Sequence, residues 1–407
     1  MGFVDCDSHV VETDATWSYL DPGERRFRPR VVEFLEPEDS YLAGGVPVTD
    51  VLPQRAWVAA DGWCRRLPDD ANYTGKANIY DGSTLDGNTA ARLEDLDALG
   101  IDVQLLISTF FIGMELDNPL GEAALARSFN RWMADITSDS GGRLAWALRP
   151  PLRLMDRTAE ELAFGREHGA VAVHIRGIEH GMFLSDPYFF PLYEQAQDLD
   201  LAIVVHLGES IRRTENLPIG QLIPTPAALM GHVHNLMAGF HAVLASDLDQ
   251  RFPRLRWGFL EGGATWAPAV LQQHARLMAN VEHFLHLRRY THEDLAAKNL
   301  YVACETDEDL PYLANLLGPG VLVTGTDYGH NDLGSEIGAH GVILRDPSLD
   351  PTTARRIVDT NGRHLLGIPH DFRPAPDYAE GAEVPHVRGA RSEDGRAVTE
   401  ITLVGAG

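Results

Sequence analysis

The run Gly2-Phe3-Val4-Asp5-Cys6-Asp7-Ser8-His9 opens the chain with a short apolar, strand-like stretch that ends in carboxylates and an imidazole. Asp7 and His9 stand two residues apart, so on an extended chain both side chains point the same way, and one strand end offers two metal ligands. The same rhythm, an apolar run closed by polar residues, follows the first strand, Gly2–Cys6, at Val103–Ser108, Leu144–Leu148, Val171–Ile175, Ala202–His206, Arg256–Leu260, Leu300–Cys304 and Val321–Thr324. Between these runs lie amphipathic segments. Ala90–Leu99 places Leu93, Leu96 and Leu99 on one face, and Ala123–Ile136 does the same with Leu125, Phe129, Trp132 and Ile136. Thr158–His168, Leu192–Asp198, Ala227–Leu244, Glu308–Leu317 and Thr353–Leu365 follow suit. Strands alternating with helices predict a parallel sheet, and their number and order predict its closure into a (β/α)8 barrel of the TIM type.

Two regions stand outside this repeat. A long stretch after strand 1, residues 13–89, is rich in Pro, Gly and aromatics, and is expected as an insertion capping the carboxyl end of the barrel. The barrel unit then runs from 1 to 368. The tail, 369–407, ends in a strand-like run, Ala397–Val404, and is expected to pack on the barrel or on a neighbouring subunit.

The formal charge of −25 argues against nucleic-acid or anionic-membrane partners and leaves a small-molecule substrate. Cys6, Cys64 and Cys304 form no paired framework, and no signal peptide or membrane-spanning stretch is visible, so the expected compartment is the cytoplasm. A symmetric homodimer is the default assembly. There is no phosphate-binding loop, dinucleotide fingerprint or serine-hydrolase elbow. Alternation points Cys6 and Cys304 away from the pocket, which argues against a cysteine nucleophile.

In a parallel barrel the carboxyl ends of the strands converge on one pocket. The residues there are Asp7, His9 and Glu12 after strand 1, His174 and Arg176 on strand 4, His206 on strand 5, Glu261 on strand 6, Glu305 on strand 7 and Asp327 on strand 8. Convergent carboxylates repel one another unless a cation sits among them, so the set predicts a metal site. His330, three residues after Asp327, is a further candidate. So are His234 and His241, which with His232 lie on one helical segment. Any of these could reach a second metal or support the first. Arg176 and Tyr328 are candidate substrate-binding groups, with Arg149 beside them. Phe110, Phe111 and Trp266 could form an apolar wall.

At these positions the chain resembles the amidohydrolase superfamily, in its branch related to aminocarboxymuconate-semialdehyde decarboxylase. The carriers are Asp5-Cys6-Asp7-Ser8-His9, Val205-His206-Leu207, Phe252-Pro253-Arg254-Leu255 leading to Glu261-Gly262-Gly263, Gly325-Thr326-Asp327-Tyr328, and the final Asn361-Gly362-Arg363-His364-Leu365-Leu366-Gly367. The resemblance implies metal ligands at Asp7, His9, His206 and Asp327, with Glu261 joining them, and catalytic roles for Asp327 and Glu261. Asp7 stands where the family usually has His, and Glu261 where hydrolytic members often have His. Oxygen-rich ligand sets suit Fe or Mn as well as Zn.

Two enzymatic functions follow. The departures in ligand type resemble the non-heme diiron oxygenases found on this barrel, as in diterpenoid biosynthesis. They imply one or two Fe(II) and hydroxylation of a bulky apolar carboxylic acid or thioester. The alternative is a mononuclear Zn- or Mn-dependent hydrolase or decarboxylase of a small carboxylated substrate. A barrel without catalysis would scatter its polar residues rather than gather a ligand set.

Overall fold

The computed structural model describes residues 2–34, 41–42, 46–47, 54–59, 64–66, 78–79, 87–112, 116–208, 226–285, 292–330, 334–378 and 384–388. Eight strands run parallel in sequential order: β1 (Phe3–Val10), β2 (Ile101–Ser108), β3 (Leu144–Leu148), β4 (Ala170–Arg176), β5 (Ala202–His206), β6 (Trp257–Leu260), β7 (Leu300–Ala303) and β8 (Leu322–Val323). Backbone bonds from Cys6 to Thr324 (3.1 Å), Asp327 to Asp7 (2.9 Å) and His9 to Tyr328 (2.6 Å) join the last strand to the first. The wall is thereby a TIM-type barrel, as expected.

The helices are α1 (Thr89–Leu99), α2 (Pro119–Thr137), α3 (Met155–Glu167), α4 (Phe190–Asp198), α5 (Pro226–Ala245), α6 (Trp266–Leu285), α7 (Leu310–Leu317) and α8 (Ala339–Arg345). A last helical stretch, α9, runs through Pro351–Arg355, a π-turn at Arg356–Thr360 and Asn361–Leu366. Local chemistry sets their starts. The Asn88 side chain accepts from Ala91 N–H at the head of α1, and Asn118 does so for Leu120 and Gly121 at the head of α2. Helix α6 has no counterpart in the sequence reading. Its Pro268 and the Gly262-Gly263 pair before it suggest a loop, yet proline in a first helical turn sacrifices no hydrogen bond.

Two packed layers result. Strand residues facing outward join the helices in one cluster that includes Trp146, Ile203, Trp257 and Phe259. Those facing inward, among them Val4, Cys6, Val103, Leu105, Ala172, Val204 and Leu260, fill the barrel, where Leu365 and Leu366 of α9 join them. Strand β1 departs from simple alternation. Its register against β2 slips between Asp5 and Ser8, so three residues of β1 pass two of β2. Cys6 shares the inward face with Val4, two residues before it, although the sequence reading turned it away from the pocket. Burial raises its thiol pKa well above the ordinary value, and its Sγ lies 3.8 Å from the Val4 carbonyl, so it stays protonated. Gly325 completes the seam, because a Cβ there would lie 2.3 Å from Cβ of Asp7.

The described parts of the 13–89 stretch include an antiparallel sheet of Arg30–Phe34, Gln54–Val58 and Cys64–Arg66. Trp17 packs against Trp57 and against Phe110, just beyond β2. Asn78–Ile79 pairs with Val387–Arg388 of the tail. The expected strand Ala397–Val404 lies outside the described residues.

The tail's first part docks at the amino end of the barrel. Arg373 binds Asp359 (2.7 Å to each oxygen), and Tyr378 sits edge-on to the ring of His340. His340 also stacks on Phe3 and is almost fully buried. Burial, with a smaller push from Arg345, moves its pKa down from 6.5 to about 4. A depressed histidine pKa stabilises the fold above its unfolded value, and that stability drains away as pH falls from 6.5 toward 4. Between pH 7 and 5, urea denaturation of the parent should lose about 1–2 kcal/mol more than His340→Leu loses. Equal losses would remove His340 as the cause.

Candidate metal centre

Four strand ends build the centre. The slip in β1 brings Asp7 and His9 to the carboxyl mouth, β5 ends on His206, and the residue after β6 is Glu261. Asp327 follows β8. Glu261 (φ 61°) and Asp327 (φ 50°) both hold left-handed backbone, a conformation that side-chain-bearing residues adopt at a cost and that concentrates at functional sites. Asp7, His9, His206 and Asp327 are all at most 4% exposed.

The ligand atoms face one another without bonding. His206 Nε2 lies 3.3 Å from Asp7 Oδ1, and His9 Nε2 lies 3.5 Å from Asp7 Oδ1 and 3.3 Å from Asp327 Oδ1. None of these four atoms has an aligned hydrogen-bond partner. Buried polar atoms are otherwise almost always paired, and unpartnered acid and imidazole atoms gathered around His9 fit a cation. Ligand atoms of Asp7, His9 and His206 all lie within 4.8 Å of one another, as do those of His9, Asp327 and His330.

The surroundings prepare the ligands. His206 Nδ1 lies 2.7 Å from the Leu207 carbonyl, which can only accept, so Nδ1 carries the proton and Nε2 presents its lone pair. Ser335 donates to Asp327 Oδ2 at 2.7 Å, which leaves Oδ1 for the centre. Burial raises a carboxyl pKa, but His330 and then His9 outweigh it at Asp327, whose pKa falls below the usual carboxylate range. Burial lowers a histidine pKa, but Asp327 and Asp7 overcome it at His9 and push it up to about 9. The pocket thus draws positive charge strongly.

The other candidates divide. Glu261 Oε2 reaches His206 Nε2 at 3.2 Å and so borders the centre. His330 stacks on His9 with centroids 3.6 Å apart. Its Nδ1 is 3.1 Å from Asp327 Oδ1 and its Nε2 is 3.0 Å from Thr109 Oγ1. His174 lies edge-on to His206, fully buried with both nitrogens unpartnered. Burial, then Arg149, holds it neutral.

Several expectations need correction. Glu12 belongs to neither ligand group, and its oxygens accept from Ser108 Oγ and from Phe110 N–H (2.9 Å). Tyr328 does not face substrate. The chain reverses at left-handed Asp327, and the Tyr328 hydroxyl donates to Asp95 on α1 (2.7 Å), with Arg92 over its ring. Arg176 is buried in an ion pair with Glu179 (2.6 Å), which also holds Arg149 (2.9 Å). His234 is exposed on α5, and His241 contacts His274 of α6 at 3.2 Å, away from the ligands. The side chain of His232 lies outside the described residues. Glu305 belongs to neither ligand group. Trp266 donates to the Gly263 carbonyl and packs on Phe240.

The sequence reading passed over Glu179, Ser335, Thr109 and Glu308. Glu308 accepts from the N–H groups of Ala264, Thr265 and Glu305 at 2.7–3.0 Å and so fixes the loop after Glu261. An Asp-Glu pair near a helix start resembles ordinary capping, and nothing local reveals that it reaches back some forty residues.

The barrel and its carboxylate–histidine cluster define a metal-dependent barrel enzyme. The chain belongs to the Amidohydrolase family, whose profile matches residues 4–368. A 2-amino-3-carboxymuconate-6-semialdehyde decarboxylase from Dictyostelium discoideum is 23% identical over 294 residues, which is 68% of this chain and 76% of that protein. Among solved structures, an amidohydrolase from Mycobacterium avium subsp. paratuberculosis K-10 superposes with a TM-score of 0.69 at 17% identity, covering 91% of this chain and 98% of that one. A 5-carboxyvanillate decarboxylase from Novosphingobium aromaticivorans, with bound manganese and 3-methoxy-4-hydroxy-5-nitrobenzoic acid, gives 0.62 at 14% identity over 90% and 97% of the two chains. The chain is thus a metal-dependent enzyme of the amidohydrolase superfamily, and the decarboxylases are among the proteins it resembles. Among the described residues, no helix is long and apolar enough to cross a membrane.

Proposed function

We propose that the protein is a mononuclear metal-dependent decarboxylase of a small carboxylated substrate, with Mn or Zn as the metal. The observation that carries this reading is the compactness of the ligand set. Asp7, His9 and His206 bring unpartnered atoms within 4.8 Å of one another and Asp327 Oδ1 lies 3.3 Å from His9 Nε2, while the oxygens of Glu12, the carboxylate a second metal could recruit, accept from Ser108 Oγ and Phe110 N–H. The named decarboxylase relatives support the reaction class.

A divalent cation held by these residues supplies the charge that orients a carboxylate and stabilises the electron pair left when CO2 departs. The chain supplies the rest. Decarboxylation consumes one proton at carbon, and His330, between Asp327 and Thr109, is placed to hold it at a ring nitrogen. His174, kept neutral, borders the site without adding charge. Near-complete burial of the ligands excludes bulk water from the ligand cage.

The sequence's oxidative reading retains one supporting observation. The second group, His9–Asp327–His330, overlaps the first and could hold another ion. Metal counting and anaerobic assay separate the two. One metal per chain, with CO2 released under nitrogen from a panel of small aromatic and unsaturated acids, is the expected result. Two irons with strictly O2-dependent turnover would overturn it. His330→Gln should keep its metal and lose about 10²–10⁴-fold in kcat. An unchanged kcat would remove His330 from proton transfer.

A further inference from the structure

Behind β1, on the side away from the metal ligands, a buried polar chain links the two strands that carry them. Asp5 is fully buried. Its Oδ1 accepts from Thr326 N–H (2.9 Å) and Asp7 N–H (3.2 Å), and its Oδ2 accepts from Thr326 Oγ1 (2.6 Å) and Gln104 Nε2 (2.8 Å). Gln104 Oε1 in turn accepts from Arg92 Nε (2.8 Å), and Arg92 also donates to the His9 carbonyl (2.8 Å) and to Ser8 Oγ (3.2 Å). One carboxylate therefore touches the backbone of Asp7 and of the residue before Asp327. Two links along the chain of bonds, Arg92 touches the backbone of His9.

We propose that Asp5 is a positioning residue of the metal centre, clamping β1 to the turn after β8 so that Asp7, His9 and Asp327 are held at ligand spacing before metal arrives. The inference rests on these three residues being ligands. The slip in β1 explains why such a clamp is needed. Between Asp5 and Ser8 the strand departs from regular pairing with β2, so on that side its side chains lack a regular ladder, and on the β8 side backbone bonds and the close Gly325 seam leave no room for another side chain. All the groups around Asp5 are donors, so only an acceptor with two free oxygens satisfies them. Asparagine has the same shape but turns an N–H2 toward Gln104 Nε2 or Thr326 Oγ1. Outer partners of this kind control metal affinity by about 10–100-fold.

The test is Mn2+ affinity, by titration calorimetry on metal-stripped full-length protein, alongside thermal unfolding without metal. Asp5→Asn should bind Mn2+ about 10–100-fold more weakly than the parent. Asp102→Asn, which disrupts a buried carboxylate held by Arg363 and Arg373 at the opposite end of the barrel, should lower stability and leave Mn2+ affinity within a factor of two or so. The double variant Asp5→Asn/Gln104→Glu moves the carboxylate across the same bond and should recover part of the lost affinity. If Asp5→Asn does not fold, Thr326→Val removes one donor and carries the same expectation at about 10-fold. A parent that binds no Mn2+ sinks the ligand assignment itself. A parent and an Asp5→Asn variant that bind alike, whatever their stabilities, sink this proposal alone.

Discussion

Asp327→Ala and His206→Ala should each empty the metal centre. After dialysis against excess metal-free buffer, the parent is expected to retain close to one equivalent and each variant less than about a tenth, with affinity reduced at least about a hundredfold. The argument is geometric. Each residue contributes one of the unpartnered atoms that face His9 or Asp7. Glu261 borders His206, and His330 is engaged by Thr109, so neither supplies the lost atom from the same position. Ser335→Ala is the graded control. It removes the donor to Asp327 Oδ2 without touching Oδ1, so it should weaken binding by about 10-fold and no more. Elemental analysis of the dialysed proteins reads all three. Full metal content in both alanine variants would mean that the centre lies elsewhere.

The ligand set was legible because metal chemistry restricts residue type and a barrel restricts position. Acid and imidazole groups that each close an apolar strand converge at the carboxyl mouth, where Asp7, His9 and His206 lie together and Asp327 joins His9 and His330. What stayed hidden depends on backbone turns that a strand pattern does not encode. Tyr328 reads as a pocket residue by its proximity to Asp327, yet the left-handed backbone at Asp327 sends it behind the wall. Arg176 reads as a free cation at a strand end. Its partner Glu179 lies only three residues on, just before the His180-Gly181 turn, both at positive φ, that joins Ile178–Glu179 to Met182–Phe183. A His-Gly turn joining strands of two residues carries too little pattern to be read in advance. Glu12 failed for a related reason: a carboxylate near a strand end can serve backbone N–H groups as readily as a metal. Long-range pairing also explains the reach of the oxidative reading. Counting carboxylates by sequence gave a surplus, and the fold spends that surplus on its own loops.

Glu179 carries the largest expected effect on stability. Arg149 and Arg176 are buried at the carboxyl ends of β3 and β4, each at most 1% exposed, and Glu179 is their shared counter-ion, itself fully buried. Burial alone would raise its pKa, but Arg149 and then Arg176 drive it well below the ordinary value, so it is ionised throughout the physiological range. Glu179→Gln keeps the shape and removes the charge, leaving two guanidinium groups facing a neutral amide. Breaking a buried pair by removing one partner costs about 3–5 kcal/mol, because the remaining charge has lost its water and its counter-ion together. Replacing the whole cluster is a different experiment. Glu179→Leu combined with Arg149→Met and Arg176→Met removes every charge and should recover much of that loss, since buried ion clusters contribute little beyond their apolar equivalents. The pH dependence gives an independent reading. A carboxyl pKa depressed by folding adds stability that is complete above its unfolded value near 4.3 and is lost as pH falls below it, so the parent's acid slope in that range should flatten in Glu179→Gln. Urea denaturation at pH 7 and at pH 3.5 measures both. A Glu179→Gln variant within about 1 kcal/mol of the parent at pH 7, with the acid slope intact, would show that the two arginines find their compensation elsewhere and that Glu179 is not what holds them.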